Sequence, residues 1–373
     1  MKTIKNLYEK IYDFENLYEA WEKACKGKRY REEVMEFTSN LETNLIEIQN
    51  HLIYGTYTVG RYRPFYVYEP KKRLVMALPF KDRVVQWAIY RQLFPLFDKQ
   101  FIDDSYACRV GKGTHKAVDR LQYWLRQTDR KPQRFYYLKL DIAKYFYRVD
   151  HETLIGILQR RIKDKPLIDL LSLIINSEDT KFGLPVGIDP ELCAPSDRLA
   201  EVGMPIGNLT SQMFANLYLH ELDLFAKHNL GLHYYIRYMD DIIILHTDKK
   251  RLAAVKDEIE AFLFDNLRLQ LNKKTAIRPC SMGIEFVGYR IWATHKKLRK
   301  KTALNIKRSI KHIKEARDSG EIAQDSFDRR IASYKGVLQY CNSYGFWRGL
   351  NKIFRREPTE TEQNAPDPDK GDK

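Results

Sequence analysis

Two aspartates stand side by side at Asp240 and Asp241, in the segment YYIRYMDDIIIL. Aspartate tolerates turn geometry, so an acidic pair at a hairpin is ordinary in itself, and solvated turn carboxylates are one way to read it. The flanks are less ordinary: Tyr234, Tyr235, Ile236 and Tyr238 precede the pair, and Ile242, Ile243, Ile244 and Leu245 follow it. Strands this apolar are buried, which leaves two anions at the mouth of a core, repelling each other unless a cation neutralises them. A third carboxylate, Asp141, ends another apolar strand, RFYYLKLD. If the two strand ends lie side by side, three carboxylates make a hard oxygen site suited to Mg²⁺. Two such ions about 4 Å apart would activate an attacking 3′-hydroxyl and stabilise a leaving pyrophosphate.

The elements that must position these groups are legible in outline. The first 55 residues read as helical, with Leu7, Ile11, Phe14, Leu17 and Trp21 at three- and four-residue spacing. An extended stretch follows, PFYVYEPKKRLVMALPF, whose prolines at 64, 70 and 79 forbid a continuous helix. KDRVVQWAIYRQLFPLFDKQF reads as a helix, and RFYYLKLDIAKYF as a strand ending on Asp141. Residues 178–202 are loop-like. NLTSQMFANLYLHELDLFAKH is expected to be an amphipathic helix, with Asn208 and Thr210 as caps and Phe214, Leu217, Tyr218 and Leu222 on one face. Two strands around the acidic turn, a helix KDEIEAFLFDNL and a strand IEFVGYRIW complete the ordered chain. A hairpin rather than repeated βαβ units predicts an α+β sheet, and the βαββαβ ferredoxin-like arrangement fits the count.

At 373 residues and about 150 per domain, the chain predicts two or three structural units. No apolar run reaches the roughly 18 residues of a membrane span, and the amino terminus lacks an apolar signal region, so membrane and export roles are not expected. Five cysteines, at 25, 108, 193, 280 and 341, include no CxxC pair. That argues against a zinc ribbon and predicts buried, reduced thiols in a cytosolic protein. Net charge is +15, and residues 295–356 alone hold 17 Lys and Arg against five Asp and Glu. An excess on this scale points to a polyanion, nucleic acid being the commonest, with a merely soluble basic protein as the alternative. The last 17 residues, EPTETEQNAPDPDKGDK, hold six acids and two lysines and are expected to be disordered.

Taken together, LKLDIAKYF, GMPIGNLTSQ, YIRYMDD, LQLNKKT and IEFVGYRI resemble, in order and approximate spacing, the palm motifs of reverse transcriptases. RLVMALPFKDRVVQ and SYACRVGKGTHKAV are similar to the preceding finger motifs, so the resemblance runs from about Tyr57 to Gly349. Group II intron and retroviral members usually show Gln-Gly and Ser-Pro where this chain has GMPIGNLTSQ. Here Ile206 stands for the Gln and Gln212 for the Pro, a form that resembles the enzymes of diversity-generating retroelements. YEPKKRLVMAL and FVGYRIWATHKKLRK resemble the same subgroup, and the short chain leaves no room for a maturase or endonuclease domain.

The resemblance implies roles for single residues. Asp141, Asp240 and Asp241 would hold two Mg²⁺ ions, with the backbone carbonyl of Ile142 as a further ligand. Phe146 matches the steric gate whose ring clashes with a ribose 2′-hydroxyl; as a lone phenylalanine it would more often be core. Arg73 matches the finger arginine on the incoming triphosphate, where a guanidinium fork suits phosphate oxygens. Lys72, Lys81 and Arg83 would touch phosphate or template, or be solvated. Lys274 matches a lysine that acts as general acid for pyrophosphate, with Lys273 as its rival. Gly203, Ile206, Gly207, Ser211 and Gln212 would shape the site beneath the nascent base pair, where glycine lets backbone approach closely. Tyr238 and Met239 flank the acidic turn beside the nucleic acid. Phe286, Gly288 and Tyr289 resemble the primer grip, with core packing as the alternative for Phe286. Lys296, Lys297, Arg299 and Lys300 would begin a basic helical thumb that tracks duplex phosphates. His115, Trp292 and Trp347 read as structural.

The implied fold is an α+β right hand: fingers over 1–130, a ferredoxin-like palm over 131–292, a helical thumb over 293–355 and a loose tail over 356–373. The implied activity is RNA-directed DNA synthesis from deoxynucleotides, yielding mutagenised cDNA of a template repeat. Implied partners are template RNA, a primer and a small basic accessory variability protein that forms a ring-shaped oligomer. Rival readings are a group II intron-like or phage-defence reverse transcriptase and, from another class, a catalytically silent RNA-binding scaffold.

Overall fold

The computed structural model describes residues 3–68, 73–177, 181–273 and 275–354, without the side chains of Pro195 and residues 351–354. Lys72, Lys274 and the 356–373 tail lie outside the described residues. The chain groups into two compact units that divide between Cys280 and Ser281.

The first unit opens with four helices, α1 (Tyr8–Tyr12), α2 (Phe14–Cys25), α3 (Glu32–Ser39) and α4 (Leu41–Ile53). Asp13 caps α2 by accepting from the backbone N–H groups of Glu15 and Asn16. An antiparallel hairpin of β1 (Arg63–Val67) and β2 (Arg73–Ala77) follows, then α5 (Phe80–Asp98) and α6 (Thr114–Asp129). Helix α5 lies at the centre of this half and buries Val84, Val85, Ala88, Ile89, Leu93 and Phe97. It packs on α2 and on the later helix α10 (Leu209–Leu224).

Next come β3 (Tyr136–Asp141), α7 (Tyr145–Arg148), α8 (His151–Arg161) and α9 (Lys165–Ile175). After α10 the chain runs through β4 (Tyr235–Tyr238), β5 (Asp241–His246), α11 (Lys249–Leu267) and β6 (Ala276–Pro279). Strands β3 to β6 form one antiparallel sheet in the order β4-β5-β3-β6. Numbering them one to four along the chain gives 2-3-1-4, the ferredoxin-like order expected from the sequence. Leu138, Leu140, Ile242 and Ile244 bury the face shared with α10 and α11.

The second unit holds a three-stranded sheet, β7 (Ile284–Phe286), β8 (Tyr289–Ile291) and β9 (Lys296–Leu298). Three helices follow, α12 (Lys300–Asp318), α13 (Gln324–Gln339) and α14 (Tyr344–Phe354), around a small core of Ile306, Ile310, Leu338 and Leu350.

Several expectations need correcting. Helix α10 is not amphipathic: Thr210, Ser211, Asn216, His220 and Asp223 are as buried as its apolar face. A polar side can be buried when its groups find partners, and Asn216 donates to the Ala107 carbonyl. Asn208 occupies the cap position but makes no capping bond, since its amide donates to the Tyr62 hydroxyl, and Thr210 falls inside the first turn. IEFVGYRIW is two strands, not one, because Val287 (φ 40°) and Gly288 (φ 92°) turn the chain back. Of the cysteines only Cys25 is fully buried, and Cys108 is exposed; all five are free thiols. His115, read as structural, is exposed on the first turn of α6. Among the described residues no helix is long and apolar enough to cross a membrane.

Candidate active site

Antiparallel pairing of β3 with β5 sets Asp141 directly opposite Asp241, and β4 with β5 sets Tyr238 opposite Asp241. The tight turn between β4 and β5 leaves Asp240 beside both, with Met239 in the left-handed region at φ 54°. Asp240 is pushed up to about 6, first by burial and then by the charges of Asp141 and Asp241; Arg73 pulls the other way. Its neighbours temper the corner. Lys139, two residues before Asp141 on β3, reaches Asp241 at 3.0 Å. Asn272 donates its side-chain amide to Asp141 at 3.0 Å and its backbone N–H to the Asp141 carbonyl. Ile142 is buried and bridges Leu271.

The donors fit a divalent cation in kind: carboxylate oxygens, like-charged and half-buried, whose repulsion a cation would relieve. They do not form a closed cage, because among the described residues no three His, Cys, Asp or Glu side chains converge as a ready-made metal site. Lys139 and Asn272 already engage two of the three carboxylates.

Sequence reasoning missed what lies under this turn. Arg237 and Asp223, both 0% exposed, make a two-pronged ion pair at 2.6 and 2.7 Å. The Tyr235 hydroxyl also donates to Asp223, and Arg237 reaches the Asn216 side-chain oxygen and the Met239 carbonyl. The pair therefore fastens the left-handed residue before Asp240 to the C-terminal end of α10, with Asn216 as a second hold at the middle of that helix. A signal was present: an arginine inside YIRY and an aspartate inside LHELDLF interrupt otherwise apolar runs. Charge in such positions implies a buried partner.

Around the corner lie the residues expected to meet a nucleotide. Phe146, in α7, is half-buried; its ring meets Tyr145 edge-on and its carbonyl accepts from Met204 N–H at 2.7 Å. Arg73 begins β2, exposed, with its charge felt at Asp240. Ile206 packs against a small apolar cluster of Tyr62, Met76, Leu78, Tyr147, Phe182 and Leu184, and its carbonyl accepts from Met76 N–H. Gly207 (φ 119°) and Gln212 are exposed at the start of α10, while Ser211 is buried. Gly203 (φ 97°) lies against Gly183. Lys81 is half-buried, and Arg83 is paired with Glu33 and stacked over Phe80, which ties it to α3 and α5.

In the second unit Phe286 and Tyr289 face each other across the hairpin and are buried, Tyr289 edge-on to Tyr340. They are core residues of this unit rather than exposed contacts. The Gly288 carbonyl accepts from Arg299 N–H. Lys296 lies over the Tyr340 ring at 3.5 Å, whereas Lys297 and Lys300 are exposed. Trp292 stacks on His295, and Trp347 packs on the helical core.

A family model described as "Reverse transcriptase (RNA-dependent DNA polymerase)" matches residues 69–291, more than half of the chain. The chain is 27% identical over 272 residues to Protein YkfC of Escherichia coli (strain K12), covering 62% of this chain and 68% of that protein. It is 23% identical over 397 residues to Group II intron-encoded protein LtrA of Lactococcus lactis subsp. cremoris, covering 86% of this chain and 61% of LtrA. Among solved structures, apo telomerase from Candida tropicalis, truncated from its C-terminal domain, matches at 14% identity and a TM-score of 0.42, over 65% of this chain and 55% of that one.

Proposed function

The chain belongs to the reverse transcriptase family, and on that premise we propose that it copies an RNA template into DNA at the corner formed by Asp141, Asp240 and Asp241. The observation that carries this reading is the pairing of Asp141 opposite Asp241 with a charge-crowded Asp240 beside them, inside the matched span. Mg²⁺ bound to these carboxylates and the Ile142 carbonyl would supply Lewis-acid activation of the primer hydroxyl and neutralise charge on the departing pyrophosphate. The chain's own side chains do the rest. Arg73 orients the triphosphate, the Phe146 ring excludes a ribose 2′-hydroxyl, and Lys274 protonates the pyrophosphate. Ile206, Gly207 and Gln212 bound the base pair; Lys72, Lys81, Tyr238, Met239 and the lysines at 296, 297 and 300 follow template and primer. On this reading fingers, palm and thumb divide near 130 and 292, and the enzyme acts in the cytoplasm.

The finer reading is an enzyme of a diversity-generating retroelement, making mutagenised cDNA with an accessory variability protein. Its support is the Ile206 and Gln212 form of the motif: Ile206 joins an apolar cluster and its side chain offers the template no hydrogen bond. A group II intron-like enzyme is the second reading, favoured by the likeness to LtrA. Sequencing cDNA made on a defined RNA separates them. Errors concentrated at one template base, reduced in Ile206→Gln, support the first; accurate cDNA supports the second.

A further inference from the structure

Between Phe182 and Gly203 the chain makes an excursion whose neck is closed on itself. Gly183 and Leu199 exchange backbone hydrogen bonds at 3.0 and 3.1 Å, and a Cβ on Gly203 would stand 2.9 Å from the Gly183 backbone. The excursion is sewn to α7, the short helix that carries Phe146. Leu184 N–H donates to the Tyr147 carbonyl, Gly203 N–H to Val149 and Met204 N–H to Phe146 itself. The Lys144 ammonium donates to the Ile188 carbonyl, and Arg148 donates to the Leu184 carbonyl at 2.5 Å.

Arg198 sits inside this arrangement. It is 6% exposed, and among the described residues no carboxylate lies within ion-pair distance of it. Its guanidinium donates to the carbonyls of Phe182 and Pro190 at 3.2 and 3.3 Å, tying the neck of the excursion to its middle. The same group lies over the rings of Tyr147 and Phe182, which stack on each other at 4.7 Å. Burying a cation without a counter-charge is costly, and a residue needed only to fill space would be apolar. What a guanidinium adds is a rigid fork that fixes two backbone points and a stacked pair of rings at once.

We propose that Arg198 is a positioning residue for sugar selection: it braces the 182–204 excursion against α7 and thereby fixes the backbone on which Phe146 stands. This inference rests on the reading of Phe146 as the sugar-excluding ring. Discrimination between a deoxyribose and a ribose depends on where that ring stops, and a displacement of about 1 Å is enough to change such rates strongly.

The test measures kcat/KM for single-nucleotide addition of dGTP and of GTP on an RNA template, together with thermal midpoints. It compares the wild type with Phe146→Ala, Arg198→Gln, Arg198→Lys and Arg148→Gln. Phe146→Ala should abolish most of the dGTP preference. Arg198→Gln should lower the dGTP-to-GTP ratio by about tenfold, with kcat for dGTP largely kept, and Arg198→Lys should recover part of the ratio. If Arg198→Gln does not fold, Arg148→Gln, which cuts a second tether of the same excursion, should lower the ratio in the same direction. An unchanged ratio in Arg198→Gln and Arg148→Gln, with Phe146→Ala indiscriminate, overturns the role of Arg198 alone. An unchanged ratio in Phe146→Ala overturns the sugar-excluding reading and this inference with it.

Discussion

Asp240 is a carboxylate held against its own interest. Burial and the charges of Asp141 and Asp241 raise it to about 6, above the unfolded value of 3.8. Between those values the folded protein binds the extra proton, so its stability falls as pH rises through that window, and at pH 7 the ionised group opposes folding. Asp240→Asn should therefore raise the thermal midpoint of the metal-free protein while removing its activity, as calorimetry at pH 7 would record. Arg237 and Asp223 show the converse. Both are wholly buried, so Arg237→Met alone strands a carboxylate and should cost about 3–5 kcal/mol in denaturant unfolding. Arg237→Met with Asp223→Leu should recover most of that loss. If the doubly changed protein still fails to extend a primer, the grip on the Met239 carbonyl is what the pair contributes to the site.

Among the elements, the hairpin of β1 and β2 meets the start of α10 at one glycine. Gly207 has φ 119°, and a Cβ there would come within 2.9 Å of a Val75 methyl and 3.3 Å of the Met76 carbonyl. Gly207→Ala should push β2 from the loop and raise KM for dNTP more than it lowers kcat, measured by steady-state addition. The sheet itself was legible in advance: Leu138, Leu140, Ile242 and Ile244 belong to near-continuous apolar runs that border aspartate, and only one pairing puts those aspartates together. Helix α10 was not, because Asn216, His220 and Asp223 look solvent-facing by type, and the partners of Asn216 and Asp223 come from other parts of the chain. The same holds for Tyr289, which is buried edge-on to Tyr340, far from it along the chain. Arg198 lay in a stretch with no periodicity, where only the folded excursion gives it a task.

For the molecule as a whole, the densest basic stretch and the three aspartates fall in different units. The three aspartates belong to the unit ending at Cys280, while α12, in the unit beyond it, exposes Lys301, Lys307 and Lys311, with Lys300 at its first turn. Changing these four to glutamine should weaken binding to an RNA–DNA duplex regardless of sequence. The salt dependence should flatten by about 0.7–0.9 in log–log slope for each phosphate that a replaced lysine had neutralised, with single-nucleotide chemistry at saturating duplex unchanged. The most direct measurement is primer extension on a defined RNA with dNTPs and Mg²⁺, run with wild-type protein, with Asp240→Asn and with EDTA. Full-length cDNA from the wild type, and none from a well-folded Asp240→Asn or under EDTA, is the predicted result. Undiminished synthesis by Asp240→Asn, or no synthesis by folded wild-type protein, would contradict the assignment of polymerisation to this corner.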